Sequence, residues 1–454
     1  MLVAPRGLVI EAVEVPAVTG PPAVREGRSG AAPGRLATPA KRAVYDERER
    51  AAEPWQKLKG GVLQACGSSD NQPGTTDALP TCLRALAGAE LASDPERIAP
   101  AERKGFDPAP RQHRQFDQFV AFTQKLMRDS EARREEFFWS KLDTSLPEKY
   151  RASCRRLRDY YWQEVIGKLP APDMPANPRS RLACDEPNWK GYEVLLDVYP
   201  DVFATGVLLV PKDLKPGERR PVVVCQHGLE GRPNDVVNPR KKSIYNAFGA
   251  QLADRGYVVY APQNPYIGGN TFRQLQRKAN PLGLTLFAFI VRQHERTLDW
   301  LAGLPFVDAG RIGFYGLSYG GETAMRVPPL LDRYALSVCS GDFNRFTWKT
   351  VSLDLPASYM LVNTYEIFDF DMGNTFSHAE MAALIAPRPF MVERGHDDGV
   401  GIDEWVDYEY ARVRRLYARL KMPERTEIEF FAGGHEIHGQ GTFAFLDRHL
   451  RGPR

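Results

Sequence analysis

The sequence lacks several features that would identify whole classes of protein. Its 454 residues contain no uninterrupted apolar stretch of about 18 residues, so no membrane-spanning helix is predicted. The 60 Lys and Arg residues nearly balance the 57 Asp and Glu residues, for a formal net charge of +3, and no long basic block occurs. A dedicated nucleic-acid surface is therefore not expected. No internal repeat of roughly 20–50 residues is present, which argues against a propeller or a solenoid.

Cysteine is scarce, with six residues and no CxxC pair, so zinc-finger and thioredoxin-like sites are not predicted. Cys225 and Cys339 lie in apolar runs and are predicted to be buried thiols. One disulfide could form within the remaining four cysteines, which are Cys66, Cys82, Cys154 and Cys184. The N-terminus lacks the continuous apolar segment of a secretory signal peptide. A cytoplasmic protein is thus the default expectation, with secretion as the alternative if the start is mis-assigned.

The chain divides into three regions of different character. Residues 1–110 are dense in Pro, Gly and Ala and predict an irregular, partly disordered segment, with a short helix at residues 79–91. Residues 111–190 predict a helical extension, because aromatic residues recur at helical spacing from Phe116 and a second amphipathic helix follows at residues 148–166. We expect these two helices to pack their aromatic faces on the domain that follows them.

Residues 191–454 alternate between strand and helix patterns after an antiparallel hairpin at residues 192–210. The run PVVVCQ, residues 221–226, is typical of a strand that is buried on both faces. Further strand patterns, with helical patterns between most of them, lie at residues 257–261, 312–315, 335–339, 389–393 and 427–431. Strands separated by helices predict an α/β domain in which helices flank a mostly parallel central sheet.

The motif GLSYGG, residues 316–321, contains the strongest candidate for a nucleophile. It follows the apolar strand IGFY and precedes a helical pattern. A tight turn between a strand and a helix presents a serine hydroxyl above the sheet, and flanking glycines avoid collisions with the neighbouring elements. We therefore predict Ser318 as the nucleophile of covalent catalysis.

A serine hydroxyl needs a base, and the base needs a group that orients it. His435 lies in the glycine-rich loop after the last predicted strand and is predicted as the general base, with His438 as the alternative. The loop RGHDDGV offers two acids, of which Asp397 is preferred because Asp398 is typical of a turn residue before glycine. Asp342, which follows an earlier strand, is a further alternative for the acid.

The negative charge that develops on a carbonyl oxygen under attack requires N–H donors fixed in advance. The amide of Tyr319, directly after the nucleophile, is predicted as one donor of this oxyanion hole. The amide of Leu229, in the loop HGLEG after the strand PVVVCQ, is predicted as the other. His227 in the same loop is predicted to have a structural role.

Four motifs together resemble the α/β-hydrolase superfamily. They are CQHGLEG at residues 225–231, GLSYGG at 316–321, GHDDGV at 395–400 and GGHEIH at 433–438. The region is most similar to acetylxylan-esterase and dienelactone-hydrolase-like carboxylesterases, and more distantly to prolyl-oligopeptidase-type peptidases. The resemblance implies an α/β-hydrolase fold and serine hydrolysis without a cofactor. In the peptidases the acid is the first Asp of a DDxV pattern, which also favours Asp397.

These features predict a serine carboxylic-ester hydrolase that acts through an acyl-enzyme on a small ester or an acetylated carbohydrate. A serine peptidase is the nearest alternative, although a guarding β-propeller would need several hundred residues of repeating strands. A metal-dependent hydrolase is a weaker alternative, because HEIH at residues 435–438 lacks the one-turn spacing of HExxH. A non-catalytic binding protein is disfavoured because nucleophile, acid and base follow one another in the expected order. The sequence leaves the oligomeric state open.

Overall fold

The computed structural model describes residues 3–15, 18–19, 35–67, 77–90, 107–353, 358–361 and 369–452. The chain forms two compact units, Met1–Gln115 and Phe116–Arg454. Part of the segment predicted to be irregular, residues 1–110, lies outside the described residues.

Besides the short helix predicted at residues 79–91, the first unit contains regular structure that its composition did not predict. Its elements are β1 (Leu8–Glu11), β2 (Val18–Thr19), β3 (Arg35–Leu36), α1 (Lys41–Lys57), β4 (Leu63–Cys66) and α2 (Ala78–Ala87). Strand β1 pairs in parallel with β4, and β2 pairs antiparallel with β3. The indole of Trp55 is buried and donates to the carbonyl of Gly61 at 2.8 Å, which closes the turn between α1 and β4. Helix α1 was not predicted because charged residues dominate it and its apolar positions are few.

The second unit contains most of the described helices and strands. The further helices are α3 (Ala109–Phe137), which begins in the first unit, α4 (Pro147–Tyr160), α5 (Pro233–Val237), α6 (Phe248–Asp254), α7 (Thr271–Ala279), α8 (Leu286–Ala302), α9 (Tyr319–Arg326), α10 (Phe346–Val351), α11 (Met372–Thr375), α12 (His378–Ile385), α13 (Asp403–Arg419) and α14 (Gly441–Leu446). The further strands are β5 (Arg179–Asp185), β6 (Trp189–Tyr199), β7 (Val202–Pro211), β8 (Arg220–Gln226), β9 (Val258–Pro262), β10 (Val307–Leu317), β11 (Tyr334–Ser340), β12 (Phe390–Gly395) and β13 (Thr426–Phe431). Turns of π-helix at Tyr161–Ile166 and Asp447–Arg451 extend α4 and α14, and short 3-10 turns lie at Trp139–Lys141, Asn280–Leu282, Tyr359–Leu361 and Pro423–Arg425.

Nine of these strands form one sheet, in the order β13-β12-β11-β10-β8-β9-β7-β6-β5. The six strands from β13 to β9 are parallel to one another, and β7, β6 and β5 continue the sheet antiparallel. The predicted α/β architecture with a mostly parallel sheet is confirmed. The sheet begins at β5, before residue 191, so it includes part of the segment predicted as the helical extension.

Apolar side chains fill both faces of the sheet, as strand β8 illustrates. Val222 and Val224 pack into one cluster, together with residues of α4, α8, α9, α12 and α13. Val223 and Cys225 point to the opposite face and join a second cluster with residues of α6 and α14. Because successive side chains of a strand alternate between faces, a strand covered on both sides must be apolar throughout. This requirement explains why the PVVVCQ run predicted its strand closely.

The helical extension packs on the sheet domain through α4 and the end of α3. Phe138, Tyr150 and Tyr161 are fully buried in the cluster that covers one face of the sheet. The hydroxyl of Tyr150 donates to the carbonyl of Ala383 in α12 at 2.5 Å. This part of the extension therefore covers one face of the sheet.

The first turns of α3 do not pack as predicted. The side chains of Phe116, Phe119 and Phe122 remain 67%, 70% and 56% exposed. Helix α3 buries Met127 and Arg134 instead, and the guanidinium of Arg134 donates to Thr347 Oγ1 at 3.1 Å. Helical spacing identifies an aromatic face, but α3 contacts α10 through polar side chains, Arg134 and Gln124, that the pattern did not single out.

All six cysteines are free thiols, so the open possibility of a disulfide is not realised in this structure. Cys225 and Cys339 are buried, as predicted, and burial holds the pKa of each thiol well above its usual value. Within the described residues, none of the helices is both long enough and apolar enough to cross a bilayer.

Candidate active site

The carboxyl ends of the parallel strands bring the candidate residues to one edge of the sheet. Strand β8 leads to Leu229, β10 to Ser318, β11 to Asp342, β12 to Asp398 and β13 to His435. Ligands of open α/β sheets bind outside this edge, because the loops that follow neighbouring parallel strands meet there.

Ser318 forms the turn between β10 and α9 in a strained conformation. Its φ of 62° and ψ of −124° are uncommon for a residue with a side chain and cost roughly 1–3 kcal/mol. The conformation is held at both ends, since Ser318 N donates to Ser340 O at 2.9 Å and Glu322 N donates to Ser318 O at 2.8 Å. Glycine is required two residues later, at Gly320, because a Cβ there would lie 2.4 Å from the carbonyl oxygen of Gln226. This geometry is the strand-to-helix turn that the motif predicts.

His435 lies in the loop after β13 and is paired with a buried carboxylate. Its Nδ1 lies 2.8 Å from Asp398 Oδ2, and the side chain of Asp398 is 1% exposed. The imidazole keeps 25% exposure, so part of the ring is accessible to solvent. Gly341 has a φ of 62°, and a Cβ on it would lie 3.0 Å from His435 Cε1. The backbone of Gly341, directly after β11, therefore packs against the imidazole. The residue before it, Ser340, accepts the hydrogen bond from Ser318 N.

The structure pairs His435 with Asp398 and not with the preferred candidate, Asp397. Asp397 is exposed, and its amide donates to the carbonyl of Gly433 at 2.9 Å. The next residue turns inward because Asp398 N donates to Gly395 O at 3.2 Å, and Val400 N donates to Asp398 Oδ1 at 2.8 Å. The expectation for the acid was thus wrong by one residue, since neighbouring side chains of this loop point to opposite sides.

The loop after β8 runs against the nucleophile. A Cβ built on Gly228 would lie 2.8 Å from Ser318 Cβ. Gly228 N donates to Tyr245 Oη at 2.7 Å, and the amide of Glu230 is also bonded within the fold. The amide of Leu229 donates to no acceptor among the described residues. Leu229 N–H therefore suits the predicted role of oxyanion donor, beside the amide of Tyr319 at the start of α9.

His227 supports this loop and does not act as a base. It is fully buried, and burial lowers its pKa to about 4. Asn264 N donates to His227 Nε2 at 3.2 Å, so the ring proton is on Nδ1, which donates to Gly228 O at 2.7 Å. The predicted structural role of His227 is consistent with these bonds. Tyr245, which fixes the same loop, belongs to no motif and was not identified from the sequence.

His438, the alternative base, is held away from this pairing. Its Nδ1 lies 2.8 Å from Glu429 Oε1, and its ring stacks on Phe431 with centroids 4.5 Å apart. Among the described residues, no group of three His, Cys, Asp or Glu side chains is arranged to hold a metal ion. His435 and His438 contact different carboxylates, so the HEIH segment does not form a ligand pair.

Asp342, the alternative acid, faces a different histidine. Its Oδ2 is buried and lies 3.7 Å from His378 Nε2. Asn344 N donates to His378 Nδ1 at 2.9 Å, so Nε2 carries the proton of that neutral ring and is directed at Asp342. Burial raises the pKa of Asp342 from 3.8 to about 6, against the opposing effect of Arg326. Asp342 makes no hydrogen bond to His435 within the described residues.

Replacing Asp342 with Asn is expected to stabilise the protein at neutral and alkaline pH. Because folding raises the pKa of this carboxyl, its protonated form favours the folded state at low pH, and that stabilisation is lost as the pH rises from about 4 through about 6. The change from 3.8 to about 6 corresponds to at most roughly 3 kcal/mol. Thermal unfolding at pH 4.5 and pH 8 measures the effect. A variant less stable than wild type at pH 8 would contradict it.

Comparison with known proteins gives relatives that match part of this chain. No family model matches the sequence. The provisionally named hydrolase YtaP of Bacillus subtilis (strain 168) is 25% identical over 251 residues, which are 53% of this chain and 81% of that protein. Dipeptidyl peptidase 8 of Homo sapiens is 32% identical over 126 residues, which are 26% of this chain but 13% of the peptidase.

The structure resembles that of a provisionally named acetyl xylan esterase from Bacteroides fragilis NCTC 9343. The TM-score is 0.54 and the identity 18%, over 66% of this chain and 80% of the other. A likeness at this identity establishes the fold, and it confirms the predicted α/β-hydrolase fold.

Proposed function

We propose that this chain, an α/β-hydrolase, is a serine carboxylic-ester hydrolase. The observation that carries the proposal is the pairing of His435 Nδ1 with Asp398 Oδ2 at 2.8 Å, next to the strained turn that presents Ser318. A base oriented by a buried carboxylate beside a serine at a strand-to-helix turn is the arrangement that activates a hydroxyl for attack on a carbonyl. The acyl-enzyme mechanism and the assignment of roles are part of the proposal.

In the proposed mechanism, Ser318 Oγ attacks the ester carbonyl while His435 Nε2 accepts the hydroxyl proton. Asp398 keeps the other ring proton on Nδ1 and stabilises the positive charge that His435 acquires. The amides of Leu229 and Tyr319 donate to the oxyanion. The alcohol leaves with the proton from His435, and a water molecule then releases the acid from Ser318 by the same steps.

We propose a small ester or an acetylated carbohydrate as the substrate class. The structural neighbour named as an acetyl xylan esterase supports this choice. Peptide hydrolysis is the second candidate because a segment of 126 residues is 32% identical to dipeptidyl peptidase 8. That segment is a small part of the peptidase, so the ester is favoured.

Turnover of three substrates distinguishes these candidates. The purified protein is expected to hydrolyse 4-nitrophenyl acetate and to release acetate from acetylated xylan, with negligible cleavage of a dipeptidyl 4-nitroanilide. A fluorophosphonate probe should label one tryptic peptide, which contains Ser318. Cleavage of the anilide with negligible ester turnover would instead favour the peptidase. Labelling at a different serine would contradict the proposed nucleophile.

A further inference from the structure

Arg394, near the end of β12, is a buried arginine that contacts the carboxylate paired with His435. Its side chain is 5% exposed, and its Nη1 lies 3.5 Å from Asp398 Oδ2. The same oxygen is the partner of His435 Nδ1 at 2.8 Å. Asp398 Oδ2 is therefore shared between an imidazole and a guanidinium.

Two further contacts fix the guanidinium of Arg394. Its Nε donates to Asp403 Oδ1 at 2.9 Å, and its Nη2 donates to the carbonyl of Gly401 at 2.9 Å. Gly401 and Asp403 follow Asp398 in the chain, so one side chain spans the loop as far as the start of α13. A rigid planar group with five N–H donors suits these divergent contacts, whereas a lysine ammonium would serve fewer of them.

The opposite side of the loop is held by a second cation. Lys349 Nζ donates to the carbonyl of Val400, and Val400 N donates to Asp398 Oδ1 at 2.8 Å. Each oxygen of Asp398 is thus restrained from a different side, and its side chain is 1% exposed. A carboxylate fixed in this way orients His435 without moving toward it.

We infer that Arg394 is a positioning residue that holds Asp398 against His435 and weakens the attraction of that carboxylate for a proton on the imidazole. The inference rests on the proposed function, in which His435 is the base. A positive charge beside Asp398 cancels part of the field that stabilises a charged imidazole.

Other charges around this pair are part of the same balance. The charged and titratable groups include Asp398, His396 and Asp403 on the loop and the start of α13, His435 after β13, Lys349 on α10, Tyr359 in the 3-10 turn beyond α10 and Asp342 after β11. Since these groups are unchanged when Arg394 is replaced, a shift in the pH profile reports on the guanidinium itself.

The pH dependence of kcat/KM for 4-nitrophenyl acetate tests the inference in Arg394→Gln and Arg394→Lys. Removing the charge in Arg394→Gln is expected to move the acid limb to higher pH by roughly 0.5–1 unit. Its kcat should fall roughly 10- to 100-fold with little change in KM, because the acid is less well oriented. Arg394→Lys should lose kcat but keep the wild-type acid limb, since its charge is retained.

Asp403→Asn provides a variant with the opposite expected sign. Asp403 is 34% exposed, so its replacement should be tolerated by the fold. Without that carboxylate the charge of Arg394 is less compensated, and the acid limb should move to lower pH by roughly 0.3 unit. Opposite shifts in Arg394→Gln and Asp403→Asn would not result from a general loosening of the loop.

Arg388→Gln is the matched control, because Arg388 lies just before β12 with a side chain that is 13% exposed and donates to the carbonyls of Leu331 and Tyr334. It should leave the acid limb unchanged. A wild-type acid limb in Arg394→Gln, or equal limb shifts in Arg394→Gln and Arg394→Lys, would overturn the inference.

Ser318→Ala separates the two proposals. Ester turnover that survives in Ser318→Ala defeats the proposed function. Loss of turnover in Ser318→Ala, together with an unshifted acid limb in Arg394→Gln, defeats only the role of Arg394.

Discussion

Replacing Ser318 with alanine should lower kcat/KM for 4-nitrophenyl acetate by roughly 10⁴- to 10⁶-fold. The substitution removes the atom that would form the acyl-enzyme, while the oxyanion donors and the His435–Asp398 pair remain. Residual hydrolysis above the rate in water should persist, because those donors still stabilise charge on the substrate oxygen. KM should change little. Alanine at this position retains the positive φ of 62°, so thermal unfolding should verify that the variant folds.

Ser337→Ala is the matched control for this experiment. Ser337 is buried in β11, and its Oγ donates to the carbonyl of Ala324 at 3.3 Å. This substitution also removes one serine hydroxyl from the sheet domain, but it leaves the candidate site unaltered. Its kcat/KM should therefore stay within about threefold of wild type. Ester turnover in Ser318→Ala above about one hundredth of the wild-type value would exclude Ser318 as the nucleophile.

The fold was predictable where burial imposed a pattern on the sequence. Strands β8 and β11 are covered on both faces and were predicted within one residue of their observed bounds. Helix α6 begins only at Phe248, because Asn246 and Ala247 adopt positive φ values of 47°. A propensity pattern cannot anticipate that turn, since neither residue type requires it.

The candidate site was predictable to the extent that its chemistry depends on the local sequence. The turn at Ser318 needs small neighbours, so the motif GLSYGG predicts it. Whether Asp397 or Asp398 faces His435 depends on the path of one loop. Two hydrogen bonds set that path, since Asp397 N donates to Gly433 O and Val400 N donates to Asp398 Oδ1. Arg394 acts through contacts with residues four to nine positions later in the chain, and no motif records them.

Asp398→Asn is expected to lower kcat by roughly 10³- to 10⁴-fold, whereas Asp397→Asn should stay within about threefold of wild type. Both oxygens of Asp398 face N–H donors, from Val400 on one side and from His435 and Arg394 on the other. An asparagine must therefore turn its NH₂ group toward a donor in either orientation.

With the NH₂ group toward His435, the ring would place its proton on Nε2 and could no longer accept the proton of Ser318. With the NH₂ group toward Val400, that amide would lose its acceptor and the loop would relax. Asp397 is exposed and makes neither contact, so its replacement is a control that changes the same charge one residue away. Steady-state kinetics of the two variants, with thermal unfolding to verify folding, measure the difference. A large loss in Asp397→Asn with near wild-type kcat in Asp398→Asn would restore Asp397 as the acid, and it would remove the basis for the role inferred for Arg394.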